Sequence, residues 1–330
     1  MKRAICKGAL CTGIFFAIIF VSFHLTCAAE DKFPSKSMEL ICSFPAAGGP
    51  LDLHNRLLAK FLEKELKVTV VPVNKPGGGG TLAGAVLAGS RPDGHTLALM
   101  AETSVIMPIL TKEASFSLKD FRFIGQVNRG FPVVLNVAGD APWKTFQEFI
   151  DHAKANPGIK CGHPPVTTTA ALKMAYLNQY AKLGMVGLPF KTDSEIFAGL
   201  LGKHFPVAVN GIGGGLFSNV EAGKLRVLFS FHPAGEIDLD PKIPNFESFF
   251  GKAPFDFAVH LLAPAKTPEE TVRILKKTLE KIVKSPEFAS DMKKLKFTPY
   301  YKDGDVFAKE VLPKSAEKLK EIMTETGMLK

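Results

Sequence analysis

The sequence predicts an α/β protein of two lobes, each a mostly parallel sheet flanked by helices. Three observations predict it. The chain has 330 residues, more than one domain usually holds. Its apolar pattern alternates between strand-like and helical runs in a repeating order. Two glycine-rich turns each follow a strand and open a helix, the arrangement of a parallel sheet with ligands at its carboxyl edge.

The elements follow in order. Met38–Ser43 is a short apolar run. Asp52–Leu66 is helical, with Leu53, Leu57, Leu58, Phe61, Leu62 and Leu66 on one face. Val68–Val73 is β-branched and reads as a strand, Thr81–Ala88 as a small-residue helix and Leu97–Met100 as a strand. Val133–Val137 then opens a second set. Thr145 with Glu148, and Thr192 with Glu195, have the spacing of capping boxes before helices. Val207–Asn210 and Arg226–Phe231 are strand-like. Thr267-Pro268-Glu269-Glu270 reads as N-cap, first-turn proline and box acid, and Pro286 is expected to end that helix. Val306–Met323 reads as a helix interrupted near Pro313. The expected boundaries put residues 30–127 and 228–330 in a discontinuous first lobe and 128–227 in the second. Two chain crossings suit a hinge.

Residues 1–29 read as a signal peptide. Lys2, Arg3 and Lys7 precede an apolar run from Ala9 to Phe23, and Cys27-Ala28-Ala29 offers a cleavage point before Glu30. A retained anchor and lipidation at Cys27 are the alternatives. The whole chain carries +9; loss of Lys2, Arg3 and Lys7 leaves +6. The basic balance favours anionic ligands through its field. It does not argue for nucleic acid, because no arginine stripe is interleaved with aromatics and the chain has one Trp. Three of the five Cys fall in the leader. Cys42 and Cys161 lie in strands of different lobes and read as buried thiols, with a disulfide as the alternative.

The first glycine-rich turn is Phe44-Pro45-Ala46-Ala47-Gly48-Gly49-Pro50-Leu51-Asp52. Its glycines let backbone approach a ligand, and the N–H groups of the following helix turn favour an anion. The second is Lys75-Pro76-Gly77-Gly78-Gly79-Gly80-Thr81. It lacks the Gly-Lys-Ser/Thr ending of a phosphate loop and the acidic partner of a dinucleotide fold. No catalytic set is present. His54, His95 and His163 lack ligand-spaced partners for a metal, and Ser104 lacks a nucleophile elbow. No cofactor is expected.

These turns, with Phe33-Pro34-Ser35-Lys36, Arg91-Pro92-Asp93-Gly94-His95-Thr96-Leu97, Gly223-Lys224-Leu225-Arg226-Val227-Leu228, Ile243-Pro244-Asn245-Phe246 and Ala263-Pro264-Ala265-Lys266-Thr267-Pro268, resemble the solute receptors of tripartite tricarboxylate transporters, the Bug-type receptors. The resemblance covers nearly the whole mature chain. It implies a periplasmic protein of the Venus-flytrap, periplasmic-binding-protein fold that captures a small organic carboxylate and delivers it to membrane permease subunits; a monomer is expected. A receptor for a signalling partner, or a secreted hydrolase, is the alternative. By resemblance the ligand residues are Phe44, Ala46, Ala47, Gly48 and Gly49, with Asp52 in support; Gly78, Gly79, Gly80 and Thr81; and Thr103 and Ser104. In the second lobe Thr168 stands near the family's Ser, with Thr167 beside it as a further ligand residue, and Ala171 replaces the family's His. Phe190-Lys191-Thr192 replaces its Tyr-x-Gly turn, and Asn210 replaces its Asp. Asn210 in that place disfavours an amine on the ligand and suits a second carboxylate or a carbonyl; Lys191 could pair with such a carboxylate.

Overall fold

In the computed structural model, residues 32–45, 49–213, 215–232, 239–251 and 255–329 are described. The proposed signal peptide, Cys27, and Ala46, Ala47 and Gly48 lie outside them. The first part of the chain runs β1 (Met38–Cys42), α1 (Pro50–Leu66), β2 (Val70–Asn74), α2 (Thr81–Ala88), β3 (Thr96–Ala101), α3 (Glu102–Leu110) and β4 (Phe121–Asn128). The middle runs β5 (Val133–Ala138), α4 (Phe146–Ala155), β6 (Lys160–His163), α5 (Thr169–Ala181), β7 (Val186–Pro189), α6 (Asp193–Leu201), β8 (Val207–Gly211), α7 (Leu216–Glu221) and β9 (Leu225–Ser230). The last part runs α8 (Phe246–Phe250), β10 (Val259–Pro264), α9 (Glu269–Val283), α10 (Pro286–Lys294), β11 (Pro299–Asp303), α11 (Gly304–Val306) and α12 (Leu312–Glu325).

Two sheets result, and the α/β class holds. The first has the order β11-β4-β10-β3-β1-β2 and the second β7-β6-β8-β5-β9. Both are mixed. β1 pairs in parallel with β2 and β3, and β6 with β7 and β8. The other pairings are antiparallel, because β10 returns from the second sheet and enters between β3 and β4 against their direction. β5 likewise enters between β8 and β9 antiparallel to both. Such reversals depend on strands far apart in sequence, so local patterning predicts the strands and not their directions. Leu228 lies within β9, and α8 stays with the second sheet: Phe246 and Phe250 both pack on Phe229, and Phe229 stacks on Phe146 with ring centroids 4.1 Å apart.

Helix starts follow the local chemistry. Thr145 and Thr192 accept bonds from the N–H groups of Glu148 and Glu195. The two glutamates reach one residue further back than a capping box requires, to the N–H groups of Lys144 and Lys191. Thr267 departs from expectation. Its hydroxyl donates to the Pro264 carbonyl, and α9 begins after Pro268 without a side-chain cap. Pro286 begins α10 rather than ending α9, with Ser285 as its cap. A π-helical turn over Phe307–Val311 precedes Pro313 and absorbs the break expected there. Cys42 and Cys161 are buried free thiols in different sheets, and burial pushes both up to about 12. Among the described residues no helix is long and apolar enough to cross a membrane.

His54 of α1 is fully buried, with its ring 5.1 Å from that of Phe297. Burial pushes its pKa down to about 3. The unfolded chain keeps an ordinary histidine near pH 6.5 and so binds more protons in mild acid. Stability from this group is intact above that value and is lost as the pH falls toward 3. The expected loss is about 3 kcal/mol by pH 4, read by urea unfolding at a series of pH values. A His54→Gln variant should show a flatter profile; an identical slope would contradict the assignment.

Candidate functional site

Between the two sheets lies a cavity of about 70 Å³. Four helix starts open onto it. Gly49, Pro50 and Leu51 come from α1; Ala101, Thr103 and Ser104 from α3; Thr168, Thr169 and Ala170 from α5; Thr192 and Asp193 from α6. The first N–H groups of a helix have no partner within it, and each start carries roughly half a positive charge. Two such ends from each side of a closed cleft form a strongly anion-attracting space. Phe44, Pro45, Phe131, Val133 and Pro164 supply apolar walls.

The expected residues fall into two groups. Phe44, Gly49, Thr103, Ser104, Thr168 and Lys191 line the cavity. Ser104 is 1% exposed, and its hydroxyl has no hydrogen-bond partner among the described residues. Thr103 and Thr169 share a hydroxyl–hydroxyl bond of 2.9 Å that links α3 to α5 across the cleft. Thr168 caps α5 through the Ala171 N–H. Lys191 is exposed at the rim.

The second group supports the walls. Asp52 is buried; its carboxylate accepts from Asn74 Nδ2 at 2.8 Å and pairs with Arg56, while Asn74 also donates to the Phe44 carbonyl. Asp52 thereby ties the first glycine turn to the end of β2. Asn210 is fully buried within its sheet. It accepts from Asn136 Nδ2 at 2.7 Å and donates to the Gly211 carbonyl, and it is absent from the cavity lining.

The second glycine turn explains its own composition. Gly77, Gly78, Gly79 and Gly80 have φ of 152°, 54°, 61° and 121°, a succession that only glycine adopts without strain. Thr81 Oγ1 and Thr167 Oγ1 both donate to the Gly78 carbonyl, at 2.8 and 3.3 Å. The turn therefore touches the second lobe directly. A methyl group on Gly79 would lie 1.4 Å from Thr167 Oγ1, and one on Gly80 would lie 2.6 Å from Ser104 Cβ. On the other side, methyl groups on Gly211 and Gly213 would lie 2.8 and 2.9 Å from the Pro50 ring. The lobes meet through glycines, so the conformation is closed.

Asp193 was not anticipated. It is the first residue of α6 after its Thr192 cap, and it lines the cavity. A methyl group on Gly49 would lie 3.5 Å from its Oδ2. The residue is partly buried at the cavity wall beside Gly49, and burial pushes its pKa up to about 7. The available signal was an acid directly after the Phe190-Lys191-Thr192 turn; it reads equally well as an ordinary first-turn acid.

The sequence model of the tripartite tricarboxylate transporter family receptor matches residues 55–328. The chain belongs to this family. A Cupriavidus necator relative, the "UPF0065 protein in gbd 5'region", is 31% identical over 308 residues, spanning 92% of this chain and 91% of its own. Two solved structures share the fold of this receptor. The periplasmic binding protein BugD has a TM-score of 0.79 at 23% identity, over 89% of this chain and 99% of its own. R. palustris Rpa4515 with adipate has a TM-score of 0.80 at 18% identity, over 89% and 98%.

Proposed function

We propose that this family member is an exported solute receptor that holds a small organic carboxylate in the cleft and delivers it to the permease of a tripartite tricarboxylate-type transporter. One observation carries the reading: four helix starts, two from each side, converge on one cavity, beside the Ser104 hydroxyl that has no partner among the described residues. A carboxylate there accepts bonds from backbone N–H groups that helix geometry leaves open, and its charge is offset without a cationic side chain. The mechanism is closure. The first lobe takes the carboxylate on α1 and α3, and the second lobe closes over it with α5 and α6. Residues 129–132, between β4 and β5, and 255–258, before β10, act as the hinge. The closed form is what the permease reads. The family membership and the adipate held by Rpa4515 support the ligand class; the signal-like N-terminus supports export to the periplasm.

Thermal unfolding of the purified protein against a panel of mono-, di- and tricarboxylates tests this. A ligand present at about a hundred times its dissociation constant stabilises by about 2.7 kcal/mol. At least one acid should produce a shift of that order. No shift with any acid, at concentrations up to the millimolar range, would count against the reading.

A further inference from the structure

We propose that Asp193 is a specificity-determining residue, and that it selects a ligand carrying an ammonium group beside its carboxylate. The inference rests on the carboxylate site above and narrows its substrate class.

Among the described residues, Asp193 and Lys191 are the ionisable side chains lining the cavity, and the lining from α1, α3 and α5 carries none. Among the described residues Asp193 makes no side-chain hydrogen bond and no ion pair, and Lys191 is exposed at the rim. A carboxylate held partly buried in an apolar-walled cavity without a partner is costly. A ligand carboxylate drawn to the start of α1 would lie close to Asp193, because the Asp193 carboxylate already reaches Gly49. Two anions there would repel. An ammonium group on the ligand removes the conflict: the helix starts take the carboxylate and Asp193 takes the cation. Asn210 does not stand in the way, since its amide is engaged by Asn136 and Gly211.

Proton uptake by Asp193 would also relieve the repulsion, and pH separates the two. Burial alone pushes Asp193 up to about 7 in the free protein. If it pairs with an ammonium, the bound form is ionised, so affinity is full above that value and falls as the pH drops through it. If it is protonated against a plain acid, affinity rises as the pH drops.

The experiment is calorimetric titration of wild type and Asp193→Asn with matched pairs: propionate and alanine, succinate and aspartate, glutarate and glutamate, adipate and 2-aminoadipate. In the pair that fits the cavity, the amino member should bind at least tenfold tighter to wild type, with affinity falling below pH 7. Asp193→Asn should weaken it by roughly ten- to a hundredfold and leave the plain acid unweakened. Equal or tighter binding of the plain acid to wild type, or affinity rising in acid, would overturn the role of Asp193 while leaving the carboxylate site standing. Binding of none of these acids, with no response to the wider panel, would remove both.

Discussion

A methyl group at Gly79 is expected to cost the protein much of its ligand affinity while leaving it folded. In the closed form Gly79 has φ +61°, and a Cβ built there lies 1.4 Å from Thr167 Oγ1 and 2.8 Å from Thr167 Cβ. Rotating the threonine clears the hydroxyl but not Cβ, so the lobes must separate. Overpacking of this kind costs about 1–3 kcal/mol. Because it acts only on the closed state, it should appear as binding weakened by roughly five- to a hundredfold. The open protein bears only the left-handed conformation of an alanine, about 1–2 kcal/mol. Titration of Gly79→Ala with the strongest-binding acid, beside thermal unfolding without ligand, separates the two effects. Adding Thr167→Gly should restore most of the affinity. Unchanged affinity in the single variant would mean that the closed contacts do not form with ligand bound.

Removal of the Asp256 carboxylate is expected to be the most destabilising single change at the hinge. Lys173 of α5 is 1% exposed, and its Nζ lies 3.2 Å from Asp256 Oδ1. Asp256 Oδ2 lies 3.2 Å from His232 Nε2, which is 2.6 Å from the Phe131 carbonyl. The cluster joins the chain where it leaves the first sheet to the segment by which it returns. A methyl group on Gly130 would lie 2.2 Å from the Asp256 carboxylate, so that crossing is also pressed against the cluster. Glu102 and Asn128 continue the anchorage by accepting from the N–H groups of Ala258 and Val259. Asp256→Ala leaves the Lys173 ammonium buried, and stranding a buried charge costs about 3–5 kcal/mol. Denaturant unfolding reads the change. Asp256→Ala/Lys173→Met should recover a large part of it, because no buried charge is then left without its partner. A loss below about 1 kcal/mol in the single variant would contradict the cluster's role.

What was legible in the sequence was mostly local. Thr81–Ala88 is helical over the predicted span, since its small residues and flanking glycines decide the matter within one turn. Thr145 and Thr192 cap their helices because capping involves residues three apart. The glycine turns were visible as composition, and the run of positive φ gives their physical reason. Strand directions were not legible, because β10 pairs with β3 and β4 across more than a hundred residues. Thr267 has the pattern of a cap, yet its hydroxyl finds the Pro264 carbonyl instead. In the site, Ser104, Thr103 and Thr168 are brought together with Phe44 and Gly49, whereas Asn210 and Asp52 hold the walls. Asp193 escaped notice because nothing local marks a first-turn acid as facing another lobe; only the approach of Gly49 does.

The most direct measurement is a crystal structure of the protein with its strongest-binding carboxylate. One carboxylate should lie in the cleft within hydrogen-bond distance of Ser104 Oγ and of backbone N–H groups at the starts of α1 and α3, with the glycine turn closed on Thr167. An acid bound elsewhere, or a cleft left empty at saturating concentration, would contradict the account.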